Sequence, residues 1–169
     1  MILDRDGVIN EDFGYVGKKE NFVFIERNLR QIKRLSNTYR PIIITNQSGI
    51  ARGKYTHNEF VELSKWMIGQ LQKIYEIEIY DLYYCPHHPE FPKNDNNAGC
   101  NCRKPGTLLF EKAIRDHRIN VEHSITVGDN LRDVIPGVLL GFKKNYLISC
   151  SSKSSHDGVN IINNLSEII

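Results

Sequence analysis

The sequence predicts an α/β fold with a mostly parallel sheet. Apolar runs of strand length alternate with segments of helical spacing, which is typical of βαβ units. Pro41–Thr45 contains three successive isoleucines, as expected of a strand buried on both faces. A chain of 169 residues, 40% apolar and 25% charged, fits one globular domain. We therefore expect residues 1–169 to form a single doubly wound domain with helices on both faces of the sheet.

Two helices are predicted from apolar stripes. One covers Asn28–Asn37, and the other begins at the capping box Thr56–Glu59 and runs to about Tyr75. Their stripes are Leu29, Ile32 and Leu35 in the first and Phe60, Leu63, Met67 and Leu71 in the second. The other predicted elements are strands at Met1–Leu3, Ile77–Tyr84, Ser124–Val127 and Tyr146–Ile148, a helix to about Leu140, and a short strand and terminal helix within Val159–Ile169.

Composition excludes several functional classes. A formal net charge of +2 is too small to indicate a nucleic-acid partner. No apolar run approaches the roughly 20 residues of a membrane span. The N-terminus enters an acidic motif at once, without a signal peptide, so we expect a cytoplasmic protein. The absence of sustained heptads favours a monomer.

Chemically active side chains follow three predicted strands. Asp4 and Asp6 follow the first, Thr45–Gln47 ends the second, and Asp129 follows Gly128 after a later one. The carboxyl ends of parallel strands converge on one crevice. Acids placed together there repel one another unless a cation lies among them, and Mg²⁺ suits oxygen ligands. For Asp133, one helical turn further on, a metal ligand and a hydrogen-bond partner of the site are both open.

This arrangement favours phosphoryl transfer. Asp4 can attack phosphorus and form an aspartyl-phosphate, while Asp6 protonates the leaving alcohol and then activates water. Thr45 can hold the phosphate oxygens, and Lys104 can supply positive charge to the transition state.

A second cluster indicates zinc. Cys85, His87, Cys100 and Cys102 give the pattern C-x-H-x₁₂-C-x-C, and three thiolates with one imidazole form a closed structural Zn²⁺ site. They bracket a long irregular loop, residues 85–103, which needs an anchor. His88 remains an alternative to His87 from the residues alone. The remaining cysteine, Cys150, lies far from this set and is expected to be a buried or incidental thiol.

The motifs D-x-D, T-N, K-P and G-D-x₃-D occur in the order seen in haloacid-dehalogenase-like phosphatases. More narrowly, DRDGVIN, TNQSGIARGKYT, CPHHP and C-x-C-RKP resemble the D-glycero-D-manno-heptose-1,7-bisphosphate phosphatases. The resemblance implies a Rossmann-like domain without a large cap. It implies Mg²⁺ held by Asp4, the Asp6 backbone carbonyl and Asp129, with His87 as the zinc ligand. The implied reaction is removal of the 7-phosphate from a small sugar bisphosphate in lipopolysaccharide precursor synthesis.

The resemblance also implies roles for loop residues. Thr45 and Lys104 would bind the transferred phosphate, and Arg103 the phosphate that is retained. Asn46, Ser48 and Arg52 would line the pocket.

Two departures stand out. Only three residues precede Asp4, where the family usually has several more, so we expect a short first strand. Gly106 follows Pro105 directly, a contraction of the family's RKPxPG that we expect to shift the next helix.

Three alternatives remain. Histidinol-phosphate phosphatases share the nucleophile and the zinc loop, although their loop is typically shorter. A nucleic-acid 3′-phosphatase would need a basic and aromatic groove. A zinc-stapled interaction module without catalysis would not need Asp4, Asp6, Lys104 and Asp129.

Overall fold

The computed structural model describes residues 1–91, 100–149 and 156–169. Within these residues, six strands form one sheet in which all neighbours are parallel, which confirms the predicted α/β architecture. The strands are β1 (Ile2–Leu3), β2 (Ile42–Asn46), β3 (Asp81–Cys85), β4 (Ile125–Gly128), β5 (Lys144–Ile148) and β6 (Val159–Ile162); the helices are α1 (Glu26–Leu35), α2 (His57–Tyr75), α3 (Leu108–His117) and α4 (Leu131–Leu139).

The strand order β3-β2-β1-β4-β5-β6 creates a topological switch point. The chain builds outward from β1 to β3 and then returns to place β4 on the other side of β1. In doubly wound sheets the ligand crevice lies beyond the carboxyl ends of the strands at such a point. Asp4 follows β1 and Asp129 follows β4, so the topology brings these two acids together.

β1 is short, as predicted, yet it is central. Its paired residues are Ile2 and Leu3, which align with Ile42 and Ile43 of β2 on one side and with β4 on the other. The backbone N–H of Asp4 extends this contact by donating to the Val127 carbonyl over 3.0 Å. The motif that begins at Asp4 is therefore held between two neighbouring strands.

Both faces of the sheet are covered by helices. Leu3 and Ile43 point into a core that includes the apolar residues of α1 and α2, whereas Ile2, Ile42 and Ile44 face Phe110 of α3. α4 packs closely against β4 and β5. No separate cap domain is inserted among the described residues.

The two helices predicted from apolar stripes are confirmed. α2 begins with the predicted capping box, in which Thr56 Oγ1 accepts from the Glu59 backbone and the Glu59 carboxylate accepts from the Thr56 backbone. All seven predicted stripe residues are buried. α1 runs from Glu26 to Leu35, two residues earlier than predicted at each end.

Two element predictions need correction. The strand expected at Ile77–Tyr84 begins only at Asp81, because its partner β2 begins at Ile42 after Pro41, and proline cannot donate to the ladder. Ile77 instead donates to the Leu71 carbonyl at the end of α2. The expected terminal helix is one 3₁₀ turn, Leu165–Glu167.

Some predictions fall outside the described residues. Cys150 does so, as do the middle of the 85–103 loop and most of the predicted polar linker Ser149–Asp157. Among the described helices, none combines the length and apolarity required to cross a membrane.

The cap of α2 yields a stability prediction. Thr56→Ala removes the side-chain acceptor and should lower the free energy of unfolding by about 1 kcal/mol in urea denaturation. Thr107→Ala is the matched control, since the Thr107 hydroxyl precedes α3 but donates to the exposed Glu111 carboxylate and caps no backbone N–H; it should change stability by less than about 0.5 kcal/mol. Equal losses in the two variants would contradict this account of the α2 cap.

Candidate active site

A cavity of about 390 Å³ opens at the carboxyl ends of the strands. Seven of the residues predicted for the site line it: Asp4, Asp6, Thr45, Asn46, Ser48, Arg52 and Arg103. Asp129, predicted as a metal ligand, lines it as well. The structure therefore brings together residues from four separate segments of the chain.

Lys104 lies behind the cavity rather than in its lining. Its ammonium is fully buried, donates to Asp4 Oδ1 at 2.9 Å and to the Ile44 carbonyl at 2.7 Å, and lies 2.8 Å from Asp133 Oδ1. A buried ammonium needs such partners, because an unpaired charge costs several kcal/mol to bury. In this structure Lys104 holds the nucleophile candidate in place; contact with a phosphate stays a prediction.

The structure gives Asp133 a supporting position. One carboxylate oxygen lies against Lys104, and the other accepts from the Asn130 backbone N–H at 3.0 Å as part of the α4 capping box. Its side chain is almost completely buried and does not line the cavity. The geometry favours the hydrogen-bond role among the two that the sequence left open.

Asp4, Asp129 and Asp133 offer carboxylate oxygens within 4.8 Å of one another. Gly7 permits the approach of Asp129: its φ is +79°, and a Cβ there would lie 2.1 Å from Asp129 Oδ2. Oxygen donors at this spacing suit a hard divalent cation. With Asp133 engaged by Lys104 and the α4 cap, Asp4 and Asp129 are the two carboxylates of this cluster that line the cavity.

The electrostatics of the cluster also favour a cation. Burial first, and then Asp133, raises the pKa of Asp4 to about 7, although Lys104 opposes the shift. Desolvation within the cleft, followed by Asp133 and Asp12, raises the pKa of Asp129 to about 6. Burial would lower the pKa of Lys104, but Asp4 and Asp133 outweigh it and raise that pKa. A bound cation would stabilise the ionised carboxylates.

Asp6 is held by donors from three directions. Arg5 contacts both carboxylate oxygens, with its Nη2 at 2.8 Å from Oδ1, and Asn10 Nδ2 donates to the same oxygen at 2.9 Å. Gln47 Nε2 donates to Oδ2 at 3.0 Å. The carboxylate is therefore oriented before any substrate arrives.

The end of β2 supplies two different functions. Thr45 Oγ1 accepts from Gln47 Nε2 at 2.8 Å, which leaves its hydroxyl hydrogen available to an oxygen in the cavity. Asn46 instead clamps the Lys104 backbone, donating to its carbonyl at 3.1 Å and accepting from its N–H at 3.0 Å. Asn46 lines the cavity as predicted, and its amide positions Lys104.

Arg52 is enclosed on several sides. Its guanidinium lies 4.2 Å from the Phe91 ring centroid and 5.6 Å from that of Tyr15, and Nη2 lies 2.9 Å from His88 Nε2. Arg103 donates to the His87 carbonyl at 3.4 Å. Both cations are thus held within the cavity wall at positions where an anionic substrate group could meet them.

The predicted zinc ligands converge. Cys102 Sγ lies 3.0 Å from Cys85 Sγ and 3.2 Å from His87 Nδ1, and Cys100 Sγ lies 3.6 Å from Cys85 Sγ. All four ligand atoms lie within 4.8 Å of one another, which suits tetrahedral Zn²⁺. His88 contacts Arg52 instead. The cluster lies immediately before Arg103 and Lys104 in the chain.

Several residues of the site carry no signal in the sequence. Asp12, Tyr15, His88 and Arg132 line the cavity, and Tyr55 donates to Gln47 Oε1 at 2.5 Å. Turn residues and isolated cations carry no periodic signal. A substrate-site assignment for them required the fold.

No protein-family model matches the chain. The chain is 37% identical over 159 residues to the D-glycero-beta-D-manno-heptose-1,7-bisphosphate 7-phosphatase of Haemophilus ducreyi, covering 94% of this chain and 87% of that protein. It is also 37% identical over 164 residues to the Haemophilus influenzae protein of the same name, covering 95% and 87%. The fold resembles the crystal structure of D,D-heptose 1,7-bisphosphate phosphatase from B. bronchiseptica complexed with magnesium and phosphate, with a TM-score of 0.81, 24% identity, and coverage of 98% and 93%.

The two neighbouring histidines allow a test of the metal cluster. His87→Ala should lose most of its bound zinc, whereas His88→Ala should keep about one zinc per chain in elemental analysis after gel filtration. The His87 ring lies among the thiols, and the His88 ring does not. Retention of zinc by His87→Ala together with its loss from His88→Ala would reverse the assignment.

Proposed function

Because the chain belongs to the family of D-glycero-D-manno-heptose-1,7-bisphosphate 7-phosphatases, we propose that it removes the 7-phosphate of that bisphosphate. The enzyme is a phosphoric monoester hydrolase of heptose precursor synthesis for lipopolysaccharide. One observation carries the proposal: the cavity that contains Asp4, Asp6 and Asp129 also contains Arg52, Arg103 and Arg132. A substrate with two phosphates matches this site, because the aspartates can carry out the chemistry on one phosphate while the arginines bind the other.

The proposed reaction begins with attack by Asp4 on phosphorus. A bond forms between a carboxylate oxygen of Asp4 and phosphorus as the bond from phosphorus to the sugar oxygen breaks. Lys104 contacts Oδ1 of Asp4 and so directs the other oxygen toward the substrate. Asp6 gives its proton to the departing sugar oxygen.

Hydrolysis then regenerates the enzyme. Asp6, now ionised, takes a proton from water, and the water oxygen attacks phosphorus while the bond to Asp4 breaks. The Thr45 hydroxyl donates to a phosphate oxygen in both steps. Phosphate leaves, and Asp6 is again protonated for the next cycle.

The metal residues proposed for this site are Asp4, the backbone carbonyl of Asp6 and Asp129. A Mg²⁺ ion held there would offset the negative charge of phosphate and carboxylates as they approach. The zinc cluster of Cys85, His87, Cys100 and Cys102 has a structural role, since its four protein ligands leave no position open for chemistry.

The retained 1-phosphate is assigned to the arginines. Arg103 is tied to the zinc loop through the His87 carbonyl, and Arg52 is held between two aromatic rings. Ser48 lines the same cavity and can bond the sugar. We further propose that the enzyme acts as a cytoplasmic monomer on small molecules, without a nucleic-acid or membrane partner.

A substrate panel tests this proposal. The panel contains both anomers of the heptose 1,7-bisphosphate, fructose bisphosphate, histidinol phosphate and a 3′-phosphorylated oligonucleotide, and phosphate release is measured with Mg²⁺. We expect the highest kcat/KM for a heptose bisphosphate, with one of its phosphates released. Asp4→Asn, checked for folding by circular dichroism, supplies the blank and should release no phosphate.

Two results would overturn the assignment. Preference for histidinol phosphate or for the oligonucleotide would replace the substrate. Phosphate release by folded Asp4→Asn at the unsubstituted rate would remove Asp4 from the nucleophile role.

A further inference from the structure

Gln47 is a buried amide in which every polar group is used. It is 1% exposed, and a primary amide offers two N–H donors and a carbonyl acceptor. Nε2 donates to Asp6 Oδ2 at 3.0 Å and to Thr45 Oγ1 at 2.8 Å, while Oε1 accepts from the Tyr55 hydroxyl at 2.5 Å. One side chain thus connects the acid/base candidate to a phosphate-binding candidate and to a buried tyrosine.

The Tyr55 ring fits closely between two glycines. A Cβ built on Gly17 would lie 2.2 Å from Cδ1 of the ring, and one built on Gly49 would lie 2.3 Å from Cε1. Burial raises the pKa of Tyr55 to about 12, so the hydroxyl keeps its proton and donates at neutral pH. The absence of side chains at Gly17 and Gly49 places this hydroxyl against Gln47.

The Tyr55 hydroxyl selects one orientation of the Gln47 amide. A reversed amide would take the Nε2 donor away from both Asp6 Oδ2 and Thr45 Oγ1. It would also withdraw the acceptor from the Tyr55 hydroxyl. We propose that Tyr55, acting through Gln47, is a positioning residue for proton transfer by Asp6, an inference that rests on the proposed phosphatase function.

A positioning role for Tyr55 predicts different effects on substrates with different leaving groups. A sugar alkoxide is a poor leaving group and needs the proton that Asp6 delivers, whereas p-nitrophenolate leaves without one. A misplaced Asp6 therefore slows cleavage of an alkyl phosphate more than cleavage of p-nitrophenyl phosphate. A misplaced Thr45 or a loosened fold would slow both, because the two substrates share the phosphoryl group.

The test compares kcat/KM for the two substrate types in Tyr55→Phe. This parameter reports the steps up to release of the alcohol and excludes hydrolysis of the phosphoenzyme. For the heptose bisphosphate we expect a loss of about 10-fold or more, part of the 10²–10⁴-fold typical of general acid catalysis. For p-nitrophenyl phosphate we expect a loss of less than about 3-fold, since no proton is needed.

Two further variants complete the experiment. Tyr75→Phe is the matched control, because the Tyr75 hydroxyl donates to Glu26 on the surface, outside the cavity lining; both rates should be unchanged. Gly17→Ala pushes the Tyr55 ring aside from outside the cavity lining and should reproduce the selective loss, which keeps the proposal testable if Tyr55→Phe folds poorly.

Equal losses on both substrates, or no loss on either, would overturn the positioning role. The outcome is independent of the substrate assignment. If the wild-type panel shows a different alkyl phosphate as the preferred substrate, that ester replaces the heptose bisphosphate in the comparison. An error in the substrate assignment therefore appears in the wild-type panel, whereas an error in the positioning role appears in the Tyr55→Phe comparison.

Discussion

The site depends on one buried ammonium. Lys104 Nζ lies 2.9 Å from Asp4 and 2.8 Å from Asp133, where two buried carboxylates would otherwise repel each other. Charges in such surroundings are stable only when paired and hydrogen-bonded. Lys104 therefore allows Asp4 to be buried at the end of β1 while one of its oxygens stays directed toward the cavity.

Two other parts of the chain secure the position of Lys104. Asn46, at the end of β2, binds the Lys104 backbone through both ends of its amide. The Cys/His cluster lies directly before Arg103 and brings the flanks of the long loop together. Asn46, the Cys/His cluster and Lys104 thus support one another. Because Lys104 in turn holds Asp4, a short β1 is enough to position the nucleophile candidate. Without these contacts, the side chains of Arg103 and Lys104 would have no fixed orientation.

Sequence reasoning placed the main site residues because the rules for parallel sheets are strong. Asp4 and Asp129 follow β1 and β4, Thr45 lies near the end of β2, and all three line the cavity. The orientation of individual side chains could not be predicted. Asn46 bonds to Lys104, which is 58 residues away, and Gln47 bonds to Asp6. Both depend on contacts that form only in the folded chain. The same holds for the start of β3, which its partner strand determines.

The most direct measurement is the free energy of unfolding of Lys104→Met against pH, without added Mg²⁺. Lys104 lowers the pKa of Asp4, so its removal raises a pKa that is already about 7. An acid whose pKa is higher in the folded state than in the unfolded state destabilises the folded protein as pH rises toward the folded-state pKa. We predict a deficit of about 3 kcal/mol at pH 8 and a clearly smaller one at pH 5, where Asp4 is protonated. A deficit of equal size at the two pH values, or none, would contradict the role given to Lys104.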